Sequence, residues 1–344
     1  MLTKQQDYVV PFHESWNIVD SSKLSDAYTC MRLYYFRHIL GWRKIPGQYN
    51  DLEFGSAIHA AMEVILTKGT NLSNLDEAMN EFIKYYRQYF PVETDILFVK
   101  NPISARYSLE QYLTQYSGEV HNIIDIEIAG EVPITNDLNI HFKIDAVAKG
   151  PQGLYVLEHK TSGRAFSQNW GNSFLMEIQP ATYIHVLHCI YGSAMPDTPI
   201  YGVYINGICI KPPPKLKKDG TPYANWEPPY NMRALIRKSP DMMNVWMVST
   251  ILKMLDIRQN IDTMNNEIDR QIMLAFPINP KACSMYRGCP FIDFCSSWAN
   301  PLQHTQCPPG FEVKFWNPRE KEITAKRVVR CVQKSNISTE VKND

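Results

Sequence analysis

Apolar positions recur with a helical period in three early stretches of the chain. SSKLSDAYTCMRLYYFRHILGW predicts a helix opening near Ser22 or Ser25, where a serine hydroxyl can cap free amides. LEFGSAIHAAMEVIL predicts a second helix from Leu52 to Leu66. SNLDEAMNEFIKYYRQYF predicts a third, with Ser73 and Asp76 spaced as a capping box and Pro91 marking its end. Between residues 120 and 160 the period falls to two. In NIHFKIDAVAKG, Ile140, Phe142, Ile144 and Ala146 share one face; His141, Lys143, Asp145 and Val147 share the other. Gly150, Pro151 and Gly153 signal a turn, LYVLEHKT a second strand, and VHNIIDIEIAGEVPI a third in the same antiparallel unit.

Downstream, Phe174–Tyr191 reads as a helix if Pro180 lies in its first turn or at a kink, and PIYGVYINGICI reads as a strand. KPPPKLKKDGTPYANWEPPYN suits an extended insertion. A long helical stretch, Asp241 to Phe276, broken or bent along its length, leads to a cysteine-rich segment. The charged tail after Lys314 reads as a peripheral helix or a mobile end. The expected organisation is a helical region 1–119, a core 120–210, an insertion 211–235, a helical and cysteine-rich region 236–313 and a tail 314–344. No internal repeat is evident, and the fold class is α/β.

Composition changes this picture little: with 44% hydrophobic and 12% aromatic residues, the 344-residue chain can fill a substantial core. Charge changes it more. Thirty-five basic and 35 acidic residues cancel, so a nucleic-acid partner has to be held by a local basic patch. No apolar run approaches the roughly 20 residues needed to span a bilayer. The start MLTKQQDYVVPFHESW is unlike a secretory signal, so the expected location is cytoplasmic, in a bacterial or virus-infected cell.

The chemistry concentrates in the strand pair. Glu158 and Lys160 are two apart and point to one face, with His159 on the other. Asp145, on the preceding strand, comes close to Glu158 once the strands pair. Two such carboxylates repel, which a bound cation relieves, and their hard oxygens suit Mg²⁺ or Mn²⁺. Lys160 then supplies positive charge to a phosphate and its attacking water. An ordinary surface Glu–Lys pair is the bland alternative.

GEVPI, FKIDAV and YVLEHKTS together resemble the core of the PD-(D/E)XK nuclease superfamily, in the branch typified by the RecB nuclease domain. The resemblance covers residues 22–296 and implies a restriction-endonuclease-like core, a mixed central β-sheet flanked by helices. It assigns the acidic motif to Asp145 and the E-x-K pair to Glu158 and Lys160. It matches Gly55 and His59 in FGSAIHAAME to an upstream G-x-x-x-H setting, and Gln179 and Tyr183 in MEIQPATYIH to a downstream Q-x-x-x-Y pair. His59 is a possible third metal ligand. Gln179 and Tyr183, four apart on one helix face, can reach a sugar, a phosphate or a catalytic carboxylate. Glu131 in GEVPI is a further acidic candidate.

Eight cysteines stand at 30, 189, 209, 283, 289, 295, 307 and 331. Cys189 and Cys209 lie in apolar stretches and read as small buried hydrophobes. Cys283, Cys289 and Cys295 are evenly spaced, unlike a common zinc pattern. With Cys30 as fourth ligand and Cys307 in reserve, they resemble the iron–sulfur exonucleases of the superfamily, CRISPR-associated and AddB-type. The resemblance implies a [4Fe–4S] cluster joining the two ends of the chain; zinc and unligated thiols are the alternatives. The first gap is wider here than in those families.

The expected function is that of a metal-dependent DNA exonuclease acting on free ends or single-stranded tails. Arg32, Tyr34, Tyr35 and the segment KLKKDGTPYANW are candidate DNA contacts. No G-x-x-x-x-G-K-[ST] loop is present, so a helicase, recombinase or nuclease-complex partner would be a separate protein. Two other readings stand beside it: a processing subunit in a recombination or CRISPR-adaptation complex, and an inactive scaffold or DNA-end-binding module.

Overall fold

A computed structural model describes all residues except 1, 3–7, 46–49, 222, 224–225, 286–287, 332–336 and 342–344. Parts of the expected insertion, cysteine segment and tail therefore lie outside the described residues. In chain order the main elements are α1 (Ser21–Thr29), α2 (Met31–Tyr34), β1 (Trp42–Lys44), α3 (Asp51–Lys68), α4 (Leu75–Tyr86) and α5 (Pro102–Gln115). The strands β2 (Asn122–Pro133), β3 (Asn139–Gly150) and β4 (Gly153–Ser162) follow, then α6 (Gln168–Ser173) and α7 (Ile178–Tyr191). The remainder is β5 (Ile200–Cys209), β6 (Met232–Ile236), α8 (Pro240–Met264), α9 (Ile292–Ser297), β7 (Phe311–Val313), β8 (Arg327–Cys331) and β9 (Ile337–Val341).

The central sheet has seven strands in the order β6-β5-β4-β3-β2-β8-β9. It is mixed: β3 and β4 form an antiparallel hairpin, whereas β4 and β5 run parallel, with α6 and α7 in the crossover. The fold is thus α/β, a mixed sheet with flanking helices. The chain forms two compact units, Gln48–Ile128 with Ile144–Arg237, and Met1–Gly47 with Ala129–Lys143 and Lys238–Asp344.

In the first of these units α3 buries Phe54, Ala57, Ile58, Ala61, Met62 and Ile65, the helical spacing seen in the sequence. These residues pack on Leu75, Ala78, Met79 and Phe82 of α4, on Leu109 and Leu113 of α5, and on Ile208 of β5. The alternation in β3 separates apolar from polar residues, yet both faces from Ile144 to Ala148 are buried. Helices cover the strand, so its polar residues are interior groups that need partners. Pro180 does fall in the first turn of α7, where its missing N–H is not needed.

In the other unit Asp20 caps α1, accepting from the Lys23 amide at 2.9 Å, in place of the serines expected for that role. Helix α8 opens on Ser239 and ends at Met264, a break within the stretch expected to run to Phe276. Beyond it the buried Glu267 carboxylate accepts the amides of Leu274 and Ala275 at 3.1 and 2.8 Å, which turns the chain. Arg32, Tyr34 and Tyr35, expected to meet DNA, are buried; the Arg32 Nε donates to Phe276 O at 2.9 Å. The tail holds a 3-10 helix, Pro318–Thr324, followed by β8 and β9, which pair antiparallel. Among the described residues no helix is long and apolar enough to cross a membrane.

Candidate active site

The β3–β4 hairpin closes on Gly150 and Gly153, and its registered pairing ends at Ala146 and Leu157. One step further come Asp145 on β3 and Glu158 on β4, both nearly inaccessible to solvent. There the His159 amide donates to Asp145 Oδ2 at 2.8 Å. The other Asp145 oxygen, Oδ1, lies 3.2 Å from Nδ1 of His59, which α3 presents one turn after Gly55.

Glu127 on β2 completes this corner. Ligand atoms of His59, Glu127 and Asp145 all lie within 4.8 Å of one another, a spacing that a cation with ligand distances of about 2.1–2.5 Å can bridge. Glu127 has φ +48°, a left-handed conformation costing a residue with a side chain about 1–2 kcal/mol. Such strain persists where surrounding structure imposes it, which is common at functional sites.

The second half of the site is a hydrogen-bond network around Glu158. Lys160 Nζ donates to Glu158 Oε1 at 2.7 Å and to Gln179 Oε1 at 2.9 Å. Gln179 Nε2 donates to Glu158 Oε1 at 3.0 Å and to the Tyr183 hydroxyl at 2.7 Å. The four-residue spacing on α7 puts Gln179 and Tyr183 on one face, and β4 presents Glu158 and Lys160 to it. Glu158 Oε2, in contrast, is buried and meets no hydrogen-bond donor among the described residues. A buried carboxylate oxygen without a partner is costly unless a cation takes it.

The charges of these groups follow from their neighbours. Burial disfavours the charged form of His59, but Asp145, with Glu158 and Glu127 adding to it, pushes the imidazole up to about 9. Burial would also raise Asp145, yet His59 and His159 hold it well below the usual carboxylate range. Glu158 is pushed up by burial and by the Asp145 charge. Burial opposes the Lys160 ammonium, and the Glu158 carboxylate outweighs it, so the lysine stays charged. Burial and the two acidic neighbours keep Tyr183 a phenol. This donor set fits a hard divalent cation of the Mg²⁺ or Mn²⁺ type: carboxylates converge on one corner, one of their oxygens lacks a partner, and like charge raises one of them.

The structure therefore brings Asp145, Glu158, Lys160, Gln179, Tyr183 and His59 into one connected group. Glu127 was missed, and Glu131, the acidic residue singled out nearby, lies elsewhere, its Oε1 held by Arg319 at 2.8 and 2.9 Å. The signal for Glu127 was an acidic side chain inside the apolar run NIIDIEIA; strict alternation could not show how the positive φ sets it.

The cysteine expectation is corrected. Among the described residues His59, Glu127 and Asp145 are the only group of three or more His, Cys, Asp or Glu whose ligand atoms come that close, and the cysteines form no such group. Cys30, Cys283, Cys289 and Cys295 are dispersed along the wall of a pocket shared with Leu33, Ile278, Phe291 and Ile292, so the [4Fe–4S] cluster is not supported. Cys30 Sγ accepts the Asn279 amide at 3.3 Å. Burial raises Cys289 and pushes Cys295 up to about 11, so both are neutral thiols.

No curated protein matches the chain. The family model for the PD-(D/E)XK nuclease superfamily matches residues 21–296, about four-fifths of the sequence. That span contains all the strands and helices supplying the carboxylates, His59, Lys160 and the α7 pair. On that match, the chain belongs to the PD-(D/E)XK nuclease superfamily.

Proposed function

We propose that the protein is a Mg²⁺- or Mn²⁺-dependent DNA nuclease of the RecB-like branch, an exonuclease acting at free ends or single-stranded tails. The observation that carries this reading is the unpartnered, buried Glu158 Oε2 beside the His59–Glu127–Asp145 corner. These four side chains would hold the cation, His59 as a neutral imidazole after releasing its proton, and the cation would supply charge neutralisation at a phosphoryl oxygen and a more acidic water. Asp145 keeps its charge because His59 and the His159 amide pair with it. Lys160, steered by Glu158 Oε1 and Gln179, presents an ammonium to the phosphate and orients the attacking water. Gln179 fixes the lysine and the Tyr183 hydroxyl in one arrangement.

Within this reading residues 120–210 act as the nuclease core, with 1–119 and 236–313 as its helical surroundings and 314–344 as its tail. The insertion 211–235 reaches DNA through Lys215, Lys217 and Lys218, all exposed. A second reading, a processing subunit within a recombination or CRISPR-adaptation complex, is favoured by the zero net charge, since a partner would then supply affinity for DNA. End-labelled linear DNA incubated beside a covalently closed circle tests the proposal. Metal-dependent loss of the linear DNA alone supports the exonuclease. Cutting of both makes the protein an endonuclease, and cutting of neither leaves an inactive scaffold.

A further inference from the structure

The segment between β4 and α7 leaves the strand that carries Glu158 and Lys160 and at once places three aromatic rings, Phe166, Trp170 and Phe174, at helical spacing. Phe166 and Trp170 have ring centroids 4.3 Å apart; Trp170 and Phe174 meet edge to face at 5.0 Å. The core aromatics of the same unit, Phe54, Phe82, Tyr86 and Tyr112, are all but inaccessible, whereas these three keep part of their surface in solvent. Leu175 and Met176 beside them are 45% and 74% exposed. Apolar surface grouped in this way, three half-buried rings beside exposed Leu175 and Met176, marks a place where another molecule docks.

Their position says what the cover is. In the parallel β4–β5 ladder Lys160 pairs with Gly207. Phe166 Cζ and Trp170 Cη2 both lie 2.7 Å from where a Gly207 Cβ would stand, so the rings occupy that place. Paired residues of neighbouring strands project to the same face, about 4.8 Å apart, so the rings fill the lane next to Lys160. Gly171 lets α6 sit close on β6, its Cβ position 3.1 Å from that of Ala234. The rings are thus seated in advance, which lowers the entropy cost of receiving a flat ligand. Arg164, exposed at the start of the segment, adds a cation for the backbone of that ligand.

We propose that Phe166, Trp170 and Phe174 form a base-stacking surface that holds the nucleotide adjoining the scissile phosphate and so selects single-stranded DNA. The proposal rests on the nuclease reading and gives its substrate class. An unpaired base offers a free π-face to such rings, whereas a duplex keeps its bases stacked within.

The test is an equilibrium titration of the full chain without divalent cation, using labelled oligothymidylate and a hairpin duplex of equal length. Wild type is compared with Trp170→Leu and Phe174→Leu; leucine keeps an apolar contact, and the atoms nearest the Gly207 position belong to Phe166 and Trp170. Each variant is expected to weaken single-strand binding about tenfold, to change duplex binding less than about twofold, and to leave the salt slope unaltered. A single abasic position moved along the oligonucleotide should weaken wild-type binding at one place and Trp170→Leu binding at none, a readout that a purely structural role would not move. Equal losses for both DNAs, or wild-type binding indifferent to the abasic position, would overturn the proposal. If Trp170→Leu fails to fold, Phe174→Leu and the wild-type abasic scan decide the question. Because no cation or turnover is involved, a protein that binds in this way but never cleaves refutes only the nuclease reading. One that cleaves but binds without regard to bases refutes only the stacking surface.

Discussion

Arg233 ties the polar interior beneath the site together, and replacing it with Met should cost about 3 kcal/mol of stability. Its Nε donates to Asn206 Oδ1 at 3.0 Å, one Nη to the Tyr112 hydroxyl at 2.9 Å and the other to Glu119. The guanidinium also lies 4.0 Å from the Tyr116 ring centroid. Asn206 in turn donates to His159 Nδ1 at 2.8 Å, and the His159 amide holds Asp145. Part of the cost is titratable. Burial would raise Glu119, but His121, 3.6 Å from one carboxylate oxygen, and Arg233, which donates to the other, lower it from 4.5 to about 2. A depressed folded value contributes stability that is present above the unfolded value and lost as pH falls through the folded one. The shift corresponds to about 3 kcal/mol without screening, and roughly half that for a carboxylate one-third exposed to solvent. The lost hydrogen bonds to Asn206 and Tyr112 supply the rest. Urea unfolding of wild type and Arg233→Met at several pH values measures both parts. The gap should be full at pH 6–7 and narrow by about half as pH falls from 4.5 toward 2. A gap under about 0.5 kcal/mol, or one that stays constant down to pH 3, would refute the reasoning.

Other outcomes follow from single residues. Glu127→Gln should weaken Mn²⁺ binding at least tenfold by calorimetry, while Glu131→Gln, which removes only a contact to exposed Arg319, should leave it within about twofold. Lys160→Met should lower kcat by about 10²–10³ with little change in KM, since its charge matters most as the phosphoryl group reacts. Gly207→Val should destabilise the fold by about 1–3 kcal/mol in thermal unfolding, because a side chain there collides with Phe166 and Trp170. Lys23, buried with its value lowered to about 7 by desolvation, binds its proton more weakly folded than unfolded. Lys23→Met should therefore raise stability near pH 6, a gain that shrinks as pH rises from 7 toward 10.

What the sequence made legible was local. The β3–β4 hairpin follows from period-two alternation ending at a glycine turn, and the α7 pair from its four-residue spacing. The E-x-K pair and the preceding aspartate needed only the pairing of adjacent strands. What it hid depends on distant parts of the chain. The burial of both faces of β3 is set by helices that sequence periodicity cannot assign to a side. Glu127 joins the site through a positive φ that alternation does not encode, and Glu131 is drawn away by Arg319, nearly two hundred residues on. Arg32, Tyr34 and Tyr35 had the composition of a DNA-binding helix but are claimed by the interior, with Phe276 stacking near both tyrosines. The cysteine spacing carried no information about whether the sulfurs converge on a ligand group, and among the described residues they do not.

The central claim is that His59, Glu127, Asp145 and Glu158 hold a divalent cation that drives phosphodiester hydrolysis. Single-turnover cleavage of an end-labelled single-stranded oligonucleotide, with wild type, Glu127→Gln and Asp145→Asn in Mg²⁺ and in Mn²⁺, tests it most directly. The account predicts cation-dependent cleavage by the wild type, abolished by chelation, and at least a hundredfold loss in each folded variant. Cleavage that survives chelation, or variants that cleave at the wild-type rate, would contradict it.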